Sequence, residues 1–183
     1  MRMAALLLVG WIGLGAVPGL PPSLAQIERY SHSAGPYRDV SVTAADADAY
    51  WQGPGAARLP AGVSDVRMNA EPGALTGSAR VDFDQLRSQG KDAWLLAMFR
   101  GVHTVAARAA VVSATAPRAT LTIQQVWLDG REIPGFLVDA AIAAFVTAKH
   151  PKLGRTFTVP LPRHATAVTE GRVWIRVHYP EGS

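Results

Sequence analysis

The chain has no cysteine among its 183 residues. That excludes disulfides, thiolate zinc sites, a thiol nucleophile and an N-terminal cysteine for lipid attachment. Charge is also sparse: Asp, Glu, Lys and Arg make up 17% of the residues and balance to +4. With its basic residues dispersed singly, such a chain lacks the footprint of a nucleic-acid groove. Five histidines occur, His32, His103, His150, His164 and His178, and no two are spaced i, i+3 or i, i+4 as a helical metal site requires. A Gly-x-Ser-x-Gly elbow and a Gly-rich phosphate loop are missing as well. The expectation is a protein without metal, cofactor, nucleic acid or catalytic group.

What the sequence has is apolar surface. Hydrophobic residues make up 49% of the chain, a content that suits one globular domain. Arg2 precedes an apolar run from Met3 to Leu20, and Ser23-Leu24-Ala25 follows. This order predicts a signal peptide over residues 1–25, cut after Ala25, and export to the periplasm or the medium. Gly10, Gly13, Gly15 and Pro18 weaken the alternative of a retained membrane span. Residues 26–39 hold Ser31, Ser33, Gly35 and Pro36 without apolar period, and read as a flexible lead-in to a single domain over residues 40–183.

Within that domain, Val40 and Val42 suggest a short strand, and Thr43 with Asp46 suggests a capped helix through Tyr50 and Trp51. Alternation at Val66, Met68 and Ala70 resumes at Leu75, Gly77, Ala79, Val81 and Phe83 after Glu71-Pro72-Gly73-Ala74, which predicts a hairpin. Asp84 reads as the cap of a helical turn, and Asp92 as the cap of an apolar helix through Arg100. Strands follow over Val102–Ala114 and Thr120–Leu128, the second with a bulge at Gln124-Gln125. Asp129-Gly130 then turns the chain into a short return strand. Pro134 opens a helix to about Lys149 in which Asp139 and Thr147 are the only polar residues before the end, and this helix is expected to be buried. Strands around Phe157–Leu161 and Val173–Tyr179 complete the chain. The sum is an α+β fold, a curved antiparallel sheet of roughly seven strands wrapped around the buried apolar helix, with two shorter helices.

The apolar excess directs the functional reading. Trp94, Leu95, Met98 and Phe99 on one helix, with Phe136, Leu137 and Phe145 on the other, exceed what a single-layer core needs. The small residues Ala140, Ala141 and Ala144 would leave room for an acyl chain or another apolar ligand. Arg100 and Arg108 are the candidate headgroup contacts, and the Trp94–Phe99 segment would make a transient contact with a membrane surface. Two other readings compete. One is a structural or adaptor protein of the envelope with a fully packed core. The other is a hydrolase assembled from dispersed residues such as His103 and Asp82, which would have to converge within hydrogen-bond reach. Asp82 and Asp84 as a pair offer too few ligands to hold calcium well.

Several segments resemble those of a group of exported bacterial proteins. They are Leu59-Pro60-Ala61-Gly62-Val63-Ser64-Asp65-Val66, then Gly77 to Leu86, then Leu128-Asp129-Gly130-Arg131-Glu132-Ile133-Pro134. Lys149-His150-Pro151-Lys152 and the Phe157–Pro162 strand belong with them. At greater distance this order is similar to that of LmeA-like envelope proteins over roughly Leu59 to Tyr179. The resemblance implies phospholipid binding and a role in the cell envelope. It carries no active-site signature.

Overall fold

The computed structural model describes residues 18–33, 35–88, 99–142, 154–172 and 174–180. The first element is helix α1 (Pro22–His32), which opens on a proline whose missing N–H costs nothing in the first turn. Leu24 and Ile27 lie on one helical face and are both buried. Within the stretch read as a lead-in, the chain is helical from Gln26 to His32, because an i, i+3 apolar pair gives it a face to dock. Tyr30 at its end packs edge-on against Tyr37 and Tyr179, with centroids 5.3 and 5.0 Å away. Tyr37 in turn stacks between His164 and Tyr179.

Strand β1 (Val40–Thr43) buries Val40 and Val42, and runs directly into helix α2 (Ala44–Gln52). Thr43 Oγ1 accepts from the Asp46 N–H at 3.2 Å while Asp46 Oδ2 accepts from the Thr43 N–H at 2.9 Å, so the predicted cap is a reciprocal capping box. Strands β2 (Val63–Glu71) and β3 (Ala74–Asp82) form the predicted hairpin, with Gly73 at φ +76° in its turn. In the following helix α3 (Phe83–Ser88) the cap is not Asp84 but Asp82, whose Oδ1 accepts from the Asp84 and Gln85 N–H groups at 3.0 Å. Asp84 accepts instead from the Gly101 N–H at 2.8 Å. The apolar helix expected from Ala93 falls mostly on residues 89–98, outside the described residues.

Strand β4 (Val102–Thr115) and strand β5 (Arg118–Leu128) pair antiparallel. Their register jumps from Arg108↔Gln125 to Ala109↔Ile123, so Gln124 is the extra residue of the predicted bulge. Asp129 and Gly130 both have positive φ, as a two-residue hairpin turn needs, and lead into strand β6 (Arg131–Glu132). Helix α4 (Gly135–Ile142), strand β7 (Thr156–Pro160), strand β8 (Ala167–Gly171) and strand β9 (Trp174–His178) follow.

All strands belong to one antiparallel sheet in the order β1-β9-β8-β4-β3-β2, with β5 on β4 and carrying β6 and β7. The long strand β4 is where the sheet branches. Strand β3 pairs along Val102–Ala110, and beyond its end Thr115 meets Ala167 of β8. Among the described residues there are nine strands and four α-helices, so the α+β class and the antiparallel sheet hold and the strand number is corrected upward. The strand missing from the expectation is β8: Glu170-Gly171 reads as a turn, but both residues pair with β9. The buried apolar helix is not confirmed: in its described part Phe136 on α4 is 70% exposed and Asp139 is exposed beside the buried Val138. The rest of that expected helix, from Ala143 to Lys149, lies outside the described residues.

Two apolar clusters form. One gathers α1, α2 and strands β1, β2, β3 and β9 around Tyr50, Trp51 and Val81. The other gathers β4, β5, β7 and α4 around Leu121, Ile123 and Phe157. No helix among the described residues is long and apolar enough to cross a membrane.

Candidate functional site

The two clusters meet at the half-buried Val105 and Leu161, and a cavity of about 390 Å³ is lined by residues of both. Leu24, Ile27 and Val42 line it from the first cluster, and Ala119, Leu121 and Val159 from the second. Every strand except β6 contributes to its wall, so the sheet bends around it, with α1 and the first turn of α2 closing one side. Ala44 and Ala47 of α2, Ala70 of β2 and Ala119 of β5 line it from three different elements, which is why space remains there. A sealed and empty void of this size would cost about 9 kcal/mol at about 24 cal/mol per Å³. That is as much as the whole stability of an ordinary domain. The cavity is instead open, for the exposed residues His32, Thr43, Pro160 and Arg163 all border it.

Its polar groups are few and come mainly from α1 and β2. Ser31 Oγ is turned back to the Ile27 carbonyl at 3.1 Å. Met68 Sδ takes the Trp51 indole N–H at 3.2 Å, which fixes the β2 wall against α2. Glu28 and Asn69 also line it, but Glu28 Oε2 and Asn69 Oδ1, which have no hydrogen-bond partner, are closed to solvent and so do not open onto the cavity. An apolar chamber with a few polar groups is the usual form of a small-molecule site.

The position of α1 is fixed from below. Asp39, in the link to β1, accepts from the Tyr179 N–H at 3.3 Å and is 2.8 Å from His178 Nδ1. His178 Nε2 is 2.8 Å from Thr169 Oγ1, so one network ties the link to β8 and β9. Burial pushes the Tyr179 phenol well above the usual range, and its oxygen has no partner.

The residues singled out from sequence are elsewhere. Phe99 packs on Phe83 and near His103, with centroids 5.4 and 6.3 Å away. Arg100 is exposed, and its carbonyl meets His103 Nε2 at 2.8 Å. Arg108 is engaged by Glu71 at 3.1 Å. Leu137 and Ala140 are half-buried on α4, Ala141 lies on the same helix, and Phe136 faces solvent. Phe99, Arg100, Arg108, Phe136, Leu137 and Ala140 do not border the cavity. Trp94, Leu95, Met98, Ala144 and Phe145 lie outside the described residues. Leu24, Ile27 and Glu28 were missed because they sit in and beside an apparent leader, although Pro22 and their spacing were helix signals.

The dispersed pair His103 and Asp82 is not brought together. Across β3 and β4, Asp82 stands opposite Val102 and His103 opposite Val81, so the two side chains leave opposite faces. His103 Nδ1 is 2.6 Å from Asp129 Oδ2. That hydrogen bond first, and the Arg100 carbonyl second, raise the imidazole above its ordinary value. With both ring nitrogens occupied, His103 is a clamp between loops. Among the described residues no group of His, Asp and Glu is arranged to hold a metal ion.

No protein-family model, no curated protein and no solved structure matches this chain.

Proposed function

We propose that this is an exported, non-catalytic protein of the bacterial cell envelope that holds a lipid or similarly apolar molecule in the cavity lined by its two cores. The observation that carries the reading is the open apolar chamber itself, which a protein with only a packing role would gain stability by filling. Transfer of apolar ligand surface into it is favourable by about 25 cal/mol per Å², before the costs of association. Arg163 borders the cavity and Arg100 and Arg108 do not, so Arg163 is the arginine offered to an acidic headgroup. The distant likeness to LmeA-like envelope proteins agrees with this reading. Cleavage after Ala25 would take Leu24 out of the wall, whereas processing upstream of Pro21 keeps it.

Native mass spectrometry of the protein purified from its own envelope, followed by organic extraction, tests the proposal. A stoichiometric lipid is expected, and Val111→Phe, which fills the chamber from β4, should lose it while unfolding at the same or a higher temperature. A bare protein that also fails to take up added lipid would refute the proposal and favour the adaptor reading.

A further inference from the structure

His103 is held in a way that a neutral imidazole cannot match. Its Nδ1 lies 2.6 Å from Asp129 Oδ2 on the turn between β5 and β6, and its Nε2 lies 2.8 Å from the Arg100 carbonyl oxygen. The ring and the Thr104 N–H hold the Asp129 carboxyl below its usual range, so it is ionised and, like the carbonyl, can only accept. Both ring nitrogens therefore donate, and only the protonated ring carries two N–H groups. The Arg100 carbonyl shares a peptide unit with the Gly101 N–H, which donates to Asp84 Oδ2 of α3 at 2.8 Å. One peptide unit is thus gripped at both ends, by an imidazolium on one side and a carboxylate on the other. Gly101 has φ +77°, and a Cβ there would meet nothing within 4 Å, so the unit has room to turn. Among the described residues Asp129 is the charged side chain that acts on the ring. Asp84 is engaged by Gly101, Arg100 is exposed, Asp82 leaves the opposite face of the sheet, and the flanking rings of Phe83 and Phe99 carry no charge.

We infer that His103 is a proton-operated switch for the Arg100–Gly101 peptide unit: the imidazolium gives its Nε2 proton to solvent, keeps Nδ1–H on Asp129, and releases the carbonyl. The Asp129 bond survives because an ionised acceptor holds an N–H more strongly than a neutral carbonyl does. Nε2 then presents a lone pair to the Arg100 oxygen 2.8 Å away, and two facing acceptors repel. The peptide unit turns, and its Gly101 N–H is drawn off Asp84. Thr104, whose N–H donates to Asp129 Oδ1 at 2.8 Å, stays where it is. The Asp129 hydrogen bond first, and the Arg100 carbonyl second, raise the imidazole, which places the release on the alkaline side of 6.5.

NMR of the full chain, titrated from acid to alkaline pH, tests the switch independently of any ligand in the chamber. Above its midpoint the His103 ring is expected as the Nδ1–H tautomer. Through the same midpoint, exchange of the Gly101 N–H, corrected for its intrinsic pH dependence, should accelerate by about tenfold or more, while the Thr104 N–H keeps its protection. His103→Gln, which cannot titrate, should abolish the Gly101 transition. An Nε2–H tautomer above the midpoint would overturn the inference, as would a Gly101 amide indifferent to the titration or a Gly101 transition that survives His103→Gln. If His103→Gln does not fold, as far-UV circular dichroism would show, the tautomer and the Gly101 exchange of the unmodified chain decide alone.

Discussion

Leu24→Ala tests whether α1 is a wall of the chamber or an ornament on it. The leucine is 1% exposed and belongs to the first apolar cluster, yet it also borders the cavity. Leucine-to-alanine changes in cores cost about 2–5 kcal/mol, of which the part above simple transfer reflects the void left behind. Here the new void joins an existing open space instead of forming a sealed one. The expected cost therefore sits at the low end, about 2–3 kcal/mol. For a domain of this size that lowers the unfolding midpoint by about 5–10 °C. Urea titration followed by tryptophan fluorescence, with the slope held equal to that of the parent, gives the free energy directly. A chain started at Gln26 should lose at least as much, because it also lacks the first turn, including the Ala25 N–H to Pro21 carbonyl bond of 2.9 Å. A loss below about 0.5 kcal/mol for Leu24→Ala, in the range of surface substitutions, would mean that α1 does not dock and that the chamber lacks this wall.

Other outcomes follow from the same geometry. Thr43→Ala removes one half of the capping box and should cost about 1 kcal/mol by thermal unfolding. Gly55→Ala places a methyl 2.5 Å from Tyr50 Cε1 and 2.9 Å from the Tyr50 carbonyl oxygen, and should destabilise by about 1–3 kcal/mol in urea. Phe136→Asp, on a side chain 70% exposed, should change stability by less than about 0.5 kcal/mol and leave lipid retention unchanged. By proton NMR, His103 should titrate above its ordinary 6.5, and Asp129→Asn should bring it back toward that value. The sign follows from the raised value. The stabilisation is full below the unfolded pKa and is lost as pH rises through the folded one. A His103 titration at or below 6.5 would break that argument.

Local rules made much of the fold legible. The Pro72-Gly73 turn, the Thr43/Asp46 box, the Asp129-Gly130 turn and the bulge at Gln124 each depend on a few consecutive residues, and each stands where its residue chemistry puts it. What could not be read locally was closure. Strand β1 pairs with β9 across most of the chain, Val40 against Val177, and no short-range signal marks either strand as the other's neighbour. Strand β8 was hidden for a related reason: Ala167 to Gly171 has weak alternation and owes its extended form to β9 beside it. Helix α1 was legible in principle, but the apolar run before it made Pro21 and Pro22 look like the end of a leader.

The chamber itself illustrates a difference between two kinds of sequence signal. Surplus large side chains are easy to count, and they drew attention to Phe136 and its neighbours. Whether a large side chain is surplus depends on what faces it, and Phe136 faces water. A cavity is written in the opposite way, as small side chains on elements that come to oppose one another. The Ala44/Ala47 pair of α2, Ala70 of β2 and Ala119 of β5 have nothing in common along the chain, and only the path of the sheet from β1 through β9 and back to β5 sets them around one space. Small residues do leave room, but of the alanines expected to do so Ala140 does not border the cavity, and Ala144 lies outside the described residues.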